Sequence, residues 1–412
     1  MFYQCSPKLA LLILVSKRKP IMNRTYRILP MLLALPLLAM ACSKTKTPDT
    51  TVAPETVVVA DTTVAAPTAD SVAVSPDVTV TASSDTTLVG LAPVTATTAV
   101  GAPENGKRTV VTLVLDWTPN TNHSGFYLAK QNGFYKENGL EVNIIEPGAD
   151  GGLAQLAAGN AQFVVSVAES LLPARAAGVK VVSVASIIQH NTSSLIVPKD
   201  RGITRPKELE GKTYGGFGGP LEKALIDKLV TCDGGDPSKV KYVEIGNVDY
   251  KIGLERKDYD AVWVFDGWDA LRLSEIEGMP LVSMPFFSTA GPTAGCIPDW
   301  YTPLLATSES MIAAKPELVR SFVTATAKGF ELARTDAPAA AAALLKGAPE
   351  LDKALVEKSS AYLATRYADA GTKWGLQDAT VWSSFSTFLS DSKILESPVD
   401  TANVFTNDFL AK

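Results

Sequence analysis

The chain has 412 residues, a formal net charge of −5 and 46% hydrophobic residues, which allows two domains and argues against a nucleic-acid-binding surface. Its four cysteines form no C-x-x-C pair and are too few for a disulfide scaffold, and two histidines are too few to build a histidine metal site. Composition therefore argues against a nucleic-acid partner and against a histidine-built metal site.

The N-terminus has the pattern of an export signal. Two arginines precede an apolar run over residues 28–41, which is too short for a stable membrane-spanning helix and fits a signal-peptide core. Small residues then precede Cys42, as in bacterial lipoprotein signals, although alanine stands where those signals usually have leucine. We predict a signal peptide over residues 1–41, with Met22 as an alternative start, and a lipid on Cys42. An ordinary secretory signal with an incidental cysteine is the alternative.

Residues 43–107 consist mostly of Thr, Val, Ala, Pro, Ser and Asp and contain no aromatic residue. Valines without aromatic residues or a sustained period cannot build a core. We therefore predict a disordered tether over residues 42–107, which would let a lipid-anchored body reach through the cell envelope. A poorly ordered, β-rich stub is the alternative.

From residue 108 onward, apolar β-branched runs alternate with helical patterns, which favours parallel α/β units. Predicted strands lie at 110–115, 141–146, 162–167, 179–188, 195–197, 212–219, 240–245, 261–265, 281–284 and 302–307. Predicted helices begin near residue 124 and lie at 152–158, 169–177, 220–230, 250–256, 317–333, 339–345, 350–367 and 378–390. We predict an α/β solute-binding domain over residues 108–412, with lobe 1 at about 108–197 plus 290–412 and lobe 2 at about 198–289. Two such lobes form a clamshell that catches a ligand by hinge closure.

The first predicted strand ends in a group of polar residues. Ligands of open α/β sheets sit just beyond the carboxyl ends of strands, and Trp117, Asn120, Asn122 and His123 fall in that place. A flat aromatic side chain beside several amides suits a small, flat, polar ligand such as a heterocycle. For His123, local bonding at the helix N-terminus is the alternative, because no cysteine or serine motif accompanies it.

The glycine-rich turn over residues 215–219 resembles a phosphate cradle, because backbone N–H groups are exposed at a helix N-terminus. It lacks the Lys-Ser/Thr of a P-loop and the full dinucleotide fingerprint. A tight strand-to-helix turn is therefore the alternative to contact with an anion or a polar ligand. The candidate contacts from this turn are Gly216, Phe217, Gly218 and Gly219.

Asp266 and Asp269 flank Trp268 after a hydrophobic strand. Paired acids could perform general acid–base chemistry, but such residues more often cap a helix. We favour Asp266 as an acid that accepts a hydrogen bond from an amino group of the ligand. Trp263 and Trp268 are expected to be shared between the core and the cleft.

His190 lies where the chain is expected to cross between the lobes, so a role in the hinge or in the cleft floor is predicted. Cys232 and Cys296 could pair in an oxidising compartment, although nothing in the sequence places them near each other. The remaining candidate ligand contacts are Glu169, Asp299 and Tyr301.

Six segments together resemble the thiamine-pyrimidine-precursor binding proteins of ABC transporters. They are 115–123 (LDWTPNTNH), 133–135 (GFY) with 139–140 (GL), 214–218 (YGGFG), 263–268 (WVFDGW), 301–303 (YTP) and 405–407 (FTN). The wider group includes sulfonate-binding proteins and the eukaryotic thiamine-pyrimidine synthase. The resemblance implies a type II periplasmic-binding fold and a formylaminopyrimidine-like ligand that is passed to a permease and its ATPase. It does not fix the ligand, because related proteins carry flavins, sulfonates and other small solutes.

The same resemblance raises an enzymatic alternative. The synthase requires a lysine for pyridoxal phosphate, a nearby histidine and a cysteine-rich run for iron, and these positions fall at about Ser166, Ser170 and residues 297–301. None of the required residues occurs there, so a Schiff base and a soft iron site lack their ligands. We predict a monomeric, lipid-anchored binding protein of the cell envelope, with no metal, no cofactor and no enzymatic activity. A ligand-sensing or adhesive surface lipoprotein is a third possibility.

Overall fold

A computed structural model describes residues 108–246 and 248–410. The predicted signal peptide, the lipidation site Cys42 and the predicted tether lie outside these residues. Among the helices of the described part, none combines the length and the apolar character needed to cross a membrane.

The described chain alternates strands and helices and ends in a helical segment. In chain order the elements are β1 (Thr109–Val114), α1 (Ser124–Gln131), α2 (Phe134–Glu137), β2 (Leu140–Ile145), α3 (Gly151–Ala157), β3 (Phe163–Ser166), α4 (Ala168–Ala176), β4 (Val181–Ser186), β5 (Ser193–Pro198), β6 (Thr213–Gly216), α5 (Pro220–Cys232), β7 (Lys241–Glu244), α6 (Tyr250–Arg256), β8 (Ala261–Phe265), β9 (Leu281–Pro285), β10 (Leu304–Ser308), α7 (Glu309–Ala314), α8 (Pro316–Thr335), α9 (Ala337–Gly347), α10 (Lys353–Ala364) and α11 (Ala379–Asp391).

The strands form two five-stranded sheets, in the orders β2-β1-β3-β10-β4 and β7-β6-β8-β5-β9. β1 runs parallel to β2 and β3, whereas β10 is antiparallel to β3 and β4. In the second sheet β6 runs parallel to β7 and β8, and β5 is antiparallel to β8 and β9. The antiparallel strands are β10 in the first sheet and β5 in the second. Each is the first strand that the chain forms after it crosses from the other sheet. This arrangement confirms the predicted two-lobe α/β fold.

The chain crosses between the two sheets over residues 187–192 and returns over residues 286–303. The lobe boundary predicted at residue 197 placed β5 in the first lobe, whereas its pairing with β8 and β9 places it in the second sheet. The sequence could not reveal this, because a short, fully buried strand has the same apolar pattern in either sheet.

Helices α1 and α8 meet at backbone contact behind the first sheet. A Cβ atom on Gly329 would lie 2.0 Å from the carbonyl oxygen of Gly125, and one on Gly125 would lie 2.3 Å from the Phe330 ring. Only glycine at both positions allows this approach. Because α1 follows directly on the turn after β1, this packing fixes the position of that turn.

Cys232 and Cys296 form a disulfide, with their Cα atoms 6.2 Å apart. The bond joins the last residue of α5 to the return crossing at residues 286–303. The sequence left this pairing open. The structure shows that it joins a helix of the second lobe to the segment that leads back to the first lobe.

Candidate functional site

A crevice that is partly open to solvent lies where the turn after β1 faces the turn after β8. Both lobes and the return crossing contribute side chains to it. The residues that line this cleft are Asp116, Trp117, Asn120, Asn122, Val167, Phe265, Trp268, Asp269, Thr302 and Pro303. The carboxyl ends of β1, β3 and β8 therefore meet at one site, as expected for a ligand position in α/β sheets.

The turn after β1 is held by its own side chains. The Asn120 side chain accepts a hydrogen bond from the backbone N–H of Asn122 at 3.0 Å and starts the short 3₁₀ turn Thr121–His123. The Asn120 side-chain amide also donates to the Thr118 carbonyl at 3.2 Å. These local bonds fix the backbone that carries Trp117 and Asn122 into the cleft.

His123 is fully buried and lies behind the cleft. Its Nδ1 accepts from the backbone N–H of Asn120 at 3.2 Å, so its proton is on Nε2, which lies 2.7 Å from Asp116 Oδ1. Both ring nitrogens are therefore engaged within the protein, which favours the alternative of local bonding at the helix N-terminus over contact with a ligand. Its role is to orient Asp116, a cleft-lining acid at the strand end that the sequence argument did not select.

The turn after β8 is a π-helical turn, Asp266–Ala270, which brings Trp268 and Asp269 to the cleft. Asp269 is 9% exposed, and burial raises the pKa of its carboxyl. Among the described residues its carboxylate accepts no hydrogen bond, and its nearest cationic group is Arg272 Nη2 at 3.9 Å. Asp269 is thus a cleft-lining acceptor to which no described residue donates a hydrogen bond.

Asp266, which the sequence favoured as the ligand-facing acid, is not among the cleft-lining residues. It accepts hydrogen bonds from Ser194 Oγ at 2.9 Å and Ser283 Oγ at 3.2 Å, in β5 and β9. Burial raises the pKa of its carboxyl to about 6. The wide π-helical turn directs Asp266 toward the sheet and Asp269 toward the cleft, a difference that the sequence spacing did not reveal.

Glu169 lies in the first turn of α4 and does not line the cleft itself. Its Oε1 accepts from Thr302 Oγ1 at 3.4 Å, and Thr302 lines the cleft. Glu169 Oε2 is buried and has no hydrogen-bond partner among the described residues. Burial raises the pKa of this carboxyl to about 7. Glu169 therefore acts on the cleft through Thr302.

A family model described as NMT1/THI5 like matches residues 120–341, more than half of the chain. The chain belongs to the NMT1/THI5-like family. It is 26% identical over 307 residues to a formylaminopyrimidine-binding protein of Halalkalibacterium halodurans, covering 72% of this chain and 89% of that protein. It is 25% identical over 302 residues to a 4-amino-5-hydroxymethyl-2-methylpyrimidine phosphate synthase of Legionella pneumophila, covering 73% of this chain and 92% of that protein.

The fold of this family member is similar to that of the periplasmic aliphatic sulphonate binding protein from Escherichia coli. The TM-score is 0.55 at 14% sequence identity, covering 72% of this chain and 91% of that chain. The type II periplasmic-binding-protein fold that the resemblance implied is therefore confirmed.

In this family member His190 and Asp299 connect the two crossing segments beside the cleft and do not line it. His190 Nδ1 lies 2.5 Å from Asp299 Oδ2, while Asp299 Oδ1 accepts from the backbone N–H groups of Asn191 and Trp300 at 2.8 and 2.9 Å. His190 Nε2 lies 3.2 Å from Asp369 Oδ2. The hydrogen bond to Asp299 is the main cause that raises the pKa of His190 to about 9. His190 thus joins the two crossing segments, and its predicted role in the hinge or in the cleft floor stays a prediction.

The glycine-rich turn after β6 already holds an internal anion. Glu222 Oε1 accepts from the backbone N–H of Phe217 at 3.1 Å and from the Tyr214 hydroxyl at 2.9 Å, and Glu222 Oε2 accepts from the backbone N–H of Gly219 at 3.1 Å. Two of the backbone amides that an anion would need are therefore occupied, which favours the alternative of a tight strand-to-helix turn. None of Gly216, Phe217, Gly218 and Gly219 lines the cleft.

Trp263 and Tyr301 belong to the core. Trp263 is 4% exposed and packs on the rings of Phe286 and Trp300, at centroid distances of 4.8 and 6.3 Å. The Tyr301 hydroxyl accepts from the backbone N–H of Asp378 at 2.8 Å. The cleft residues that the sequence argument missed include Val167, Phe265, Thr302 and Pro303, which are apolar or uncharged and gave no chemical signal beyond their places at strand ends.

Proposed function

We propose that this protein is an exported solute-binding protein that captures a small, flat, amino-bearing heterocycle, such as formylaminopyrimidine, between its two lobes. The observation that carries the proposal is the composition of the cleft. Trp117 from the first lobe and Trp268 from the second provide aromatic faces, and Asp116 and Asp269 provide carboxylates from the same two lobes. Aromatic faces bind flat rings, and carboxylates accept hydrogen bonds from amino groups.

The charge of the cleft separates candidate ligands. Among the described residues that line it, two are acids and none is lysine or arginine. Sulfonates and phosphates usually require cationic side chains or free backbone N–H groups, and the glycine-rich turn that might have offered such groups is occupied by Glu222. An aminopyrimidine therefore suits the cleft better than a sulfonate does.

The enzymatic alternative comes from the relative named as a pyrimidine phosphate synthase. Ser166 ends β3 and Ser170 lies in α4, at the positions where the resemblance to the synthase requires a lysine and a histidine. An aldehyde cofactor has no amine at this place with which to form a Schiff base. These residues support binding without catalysis.

The proposal includes delivery to an ABC permease and its ATPase from a lipid anchor at Cys42. A Cys42→Ala variant should move from the membrane fraction to the soluble fraction of cells that export it. An unchanged distribution would leave the solute-binding role standing and remove the anchor.

Calorimetric titration of formylaminopyrimidine, riboflavin and an alkanesulfonate tests the ligand class. We expect formylaminopyrimidine to bind best. Loss of a stacking platform costs about 1–3 kcal/mol, so Trp117→Ala should weaken binding roughly five- to 150-fold. Preference for the sulfonate, or equal affinity of Trp117→Ala for the best ligand, would overturn the proposal.

A further inference from the structure

Helix α10 contacts both turns that line the cleft. Its core residues Val356 and Leu363 pack in the hydrophobic cluster of the first lobe, so the helix is a fixed part of that lobe. Ser359, on the same helix, is fully buried. Its hydroxyl bonds to the Gly267 carbonyl and to Thr121 Oγ1.

The direction of these two bonds follows from their partners. A carbonyl oxygen only accepts, so Ser359 donates its single proton to Gly267. Thr121 must then donate to Ser359. The result is one continuous chain of hydrogen bonds, from Thr121 through Ser359 to Gly267.

The two ends of this chain lie in the two ligand-bearing turns. Thr121 stands between Asn120 and Asn122 in the turn after β1, and Gly267 precedes Trp268 in the turn after β8. A single buried hydroxyl therefore joins the backbone of the second-lobe turn to a side chain of the first-lobe turn.

Neighbouring contacts support the same connection. The hydroxyl of Tyr367 donates to the Thr121 carbonyl at 2.6 Å, which is a second buried hydrogen bond to the first-lobe turn. A Cβ atom on Gly267 would lie 3.0 Å from the Tyr362 ring, so the second-lobe turn packs directly on α10. Lys358 Nζ lies 2.7 Å from Glu275 of the second lobe, at the exposed edge of this contact.

We propose that Ser359 is a positioning residue that holds the two ligand-bearing turns in register across the cleft. Its consequence for affinity rests on the proposed function, but the coupling of the two turns does not. Ser359 is not among the residues that line the cleft, and it acts through the backbone of one turn and the hydroxyl of a neighbouring residue in the other.

Hydrogen exchange of the protein without ligand tests the coupling, with Ser359→Ala compared with Ser360→Ala. Ser360 is a matched control, because it is also buried on α10 and its hydroxyl has no hydrogen-bond partner among the described residues. Removing a buried hydrogen bond weakens local structure about fivefold to tenfold, so peptides over residues 117–123 and 266–270 should both exchange faster by that factor in Ser359→Ala only.

A second variant, Thr121→Val, distinguishes the loss of one specific hydrogen bond from a general destabilisation of the fold. Thr121→Val keeps the branched shape and removes only the donor to Ser359, so exchange should rise over residues 117–123 and stay unchanged over 266–270. Equal exchange in Ser359→Ala and Ser360→Ala, or a change confined to one turn in Ser359→Ala, would overturn the proposal.

Titration of formylaminopyrimidine is the second readout. We expect Ser359→Ala to bind it about fivefold to tenfold more weakly than the wild type, and Ser360→Ala to bind it as the wild type does. Unchanged affinity of Ser359→Ala, together with unchanged exchange, would reduce Ser359 to an ordinary core residue. If the wild type does not bind the compound, the proposed ligand is wrong, and the exchange experiment alone decides the role of Ser359.

Discussion

Two acidic side chains three residues apart, Asp266 and Asp269, have different surroundings in the turn after β8. Asp266 is held by Ser194 and Ser283, whereas Asp269 lines the cleft and accepts no hydrogen bond among the described residues. A ligand amino group would give Asp269 the hydrogen-bond donor that no described residue supplies. The acceptor that the sequence argument assigned to Asp266 is therefore expected at Asp269.

Substitution of each acid by asparagine tests this assignment. A hydrogen bond to a charged group contributes about 1.5–3 kcal/mol, so Asp269→Asn should weaken formylaminopyrimidine binding roughly ten- to 150-fold. Asp266→Asn is the matched control and should change the affinity by less than about threefold, since its partners are serines inside the lobe. Calorimetric titration measures both, and a larger loss for Asp266→Asn would contradict the assignment.

Glu169 should make the stability of the protein depend on pH. Burial raises its pKa from 4.5 to about 7, so the folded state takes up a proton more readily than the unfolded state. Protonation therefore stabilises the fold, and the wild type loses stability as the pH rises from about 4.5 to 7. A glutamine at this position cannot ionise and avoids this loss.

The measurement is urea denaturation of the wild type and Glu169→Gln at pH 5 and pH 8. Relative to the wild type, the free energy of unfolding of the variant should rise by about 2–3 kcal/mol between the two pH values. A difference that is the same at both pH values would show that Glu169 titrates normally.

The hydrophobic pattern of the sequence predicted most of the helices and strands that the structure contains. The predicted helix at 317–333 is α8, Pro316–Thr335, because a long amphipathic pattern with proline in its first turn marks a helix and its start. The glycine-rich turn was harder, because its occupant lies further along the chain. Glu222, at the third position of α5, folds back on the amides before the helix, and this use of a helical glutamate resembles a capping box with glycine in place of serine.

The two crossing segments meet at the His190–Asp299 pair, which should be visible by NMR because the chain has only two histidines. The carboxylate of Asp299 is the main cause of the raised pKa of His190, about 9. Asp299→Asn should therefore lower the His190 midpoint toward about 6.5, the ordinary value for histidine. Asp369→Asn is the matched control, with a smaller decrease, because Asp369 lies further from the ring at 3.2 Å.

The sign of the effect on stability follows from the same shift. The folded pKa of His190 is raised above its ordinary value, so the stabilisation is fully present below pH 6.5 and is lost as the pH rises through about 9. A His190 midpoint near 6.5 in the wild type would show that the pair does not form in solution.

The sequence predicted two lobes and a site between them, but not which side chains of the two lobes face each other. Trp117, Asn120, Asn122 and Trp268 were found because they follow strands, and strand ends converge in this fold. The contact of α10 with both turns could not be predicted, because Ser359 and Thr121 are 238 residues apart in the sequence. Such a contact depends on how the lobes are placed, which local pattern does not encode.

The disulfide is a further long-range link, and it should stabilise the whole domain without changing the cleft. Cys232 and Cys296 are 64 residues apart. A cross-link that closes a loop of that length restricts the unfolded chain and thereby raises the free energy of unfolding by about 2–4 kcal/mol. The double variant Cys232→Ser, Cys296→Ser should lose that amount in urea denaturation under oxidising conditions. Its affinity for formylaminopyrimidine should stay within about twofold of the wild type, because the bond lies outside the residues that line the cleft. Reductant should lower the stability of the wild type to that of the double variant and leave the double variant unchanged; equal stability of the two proteins before reduction would show that the bond contributes nothing.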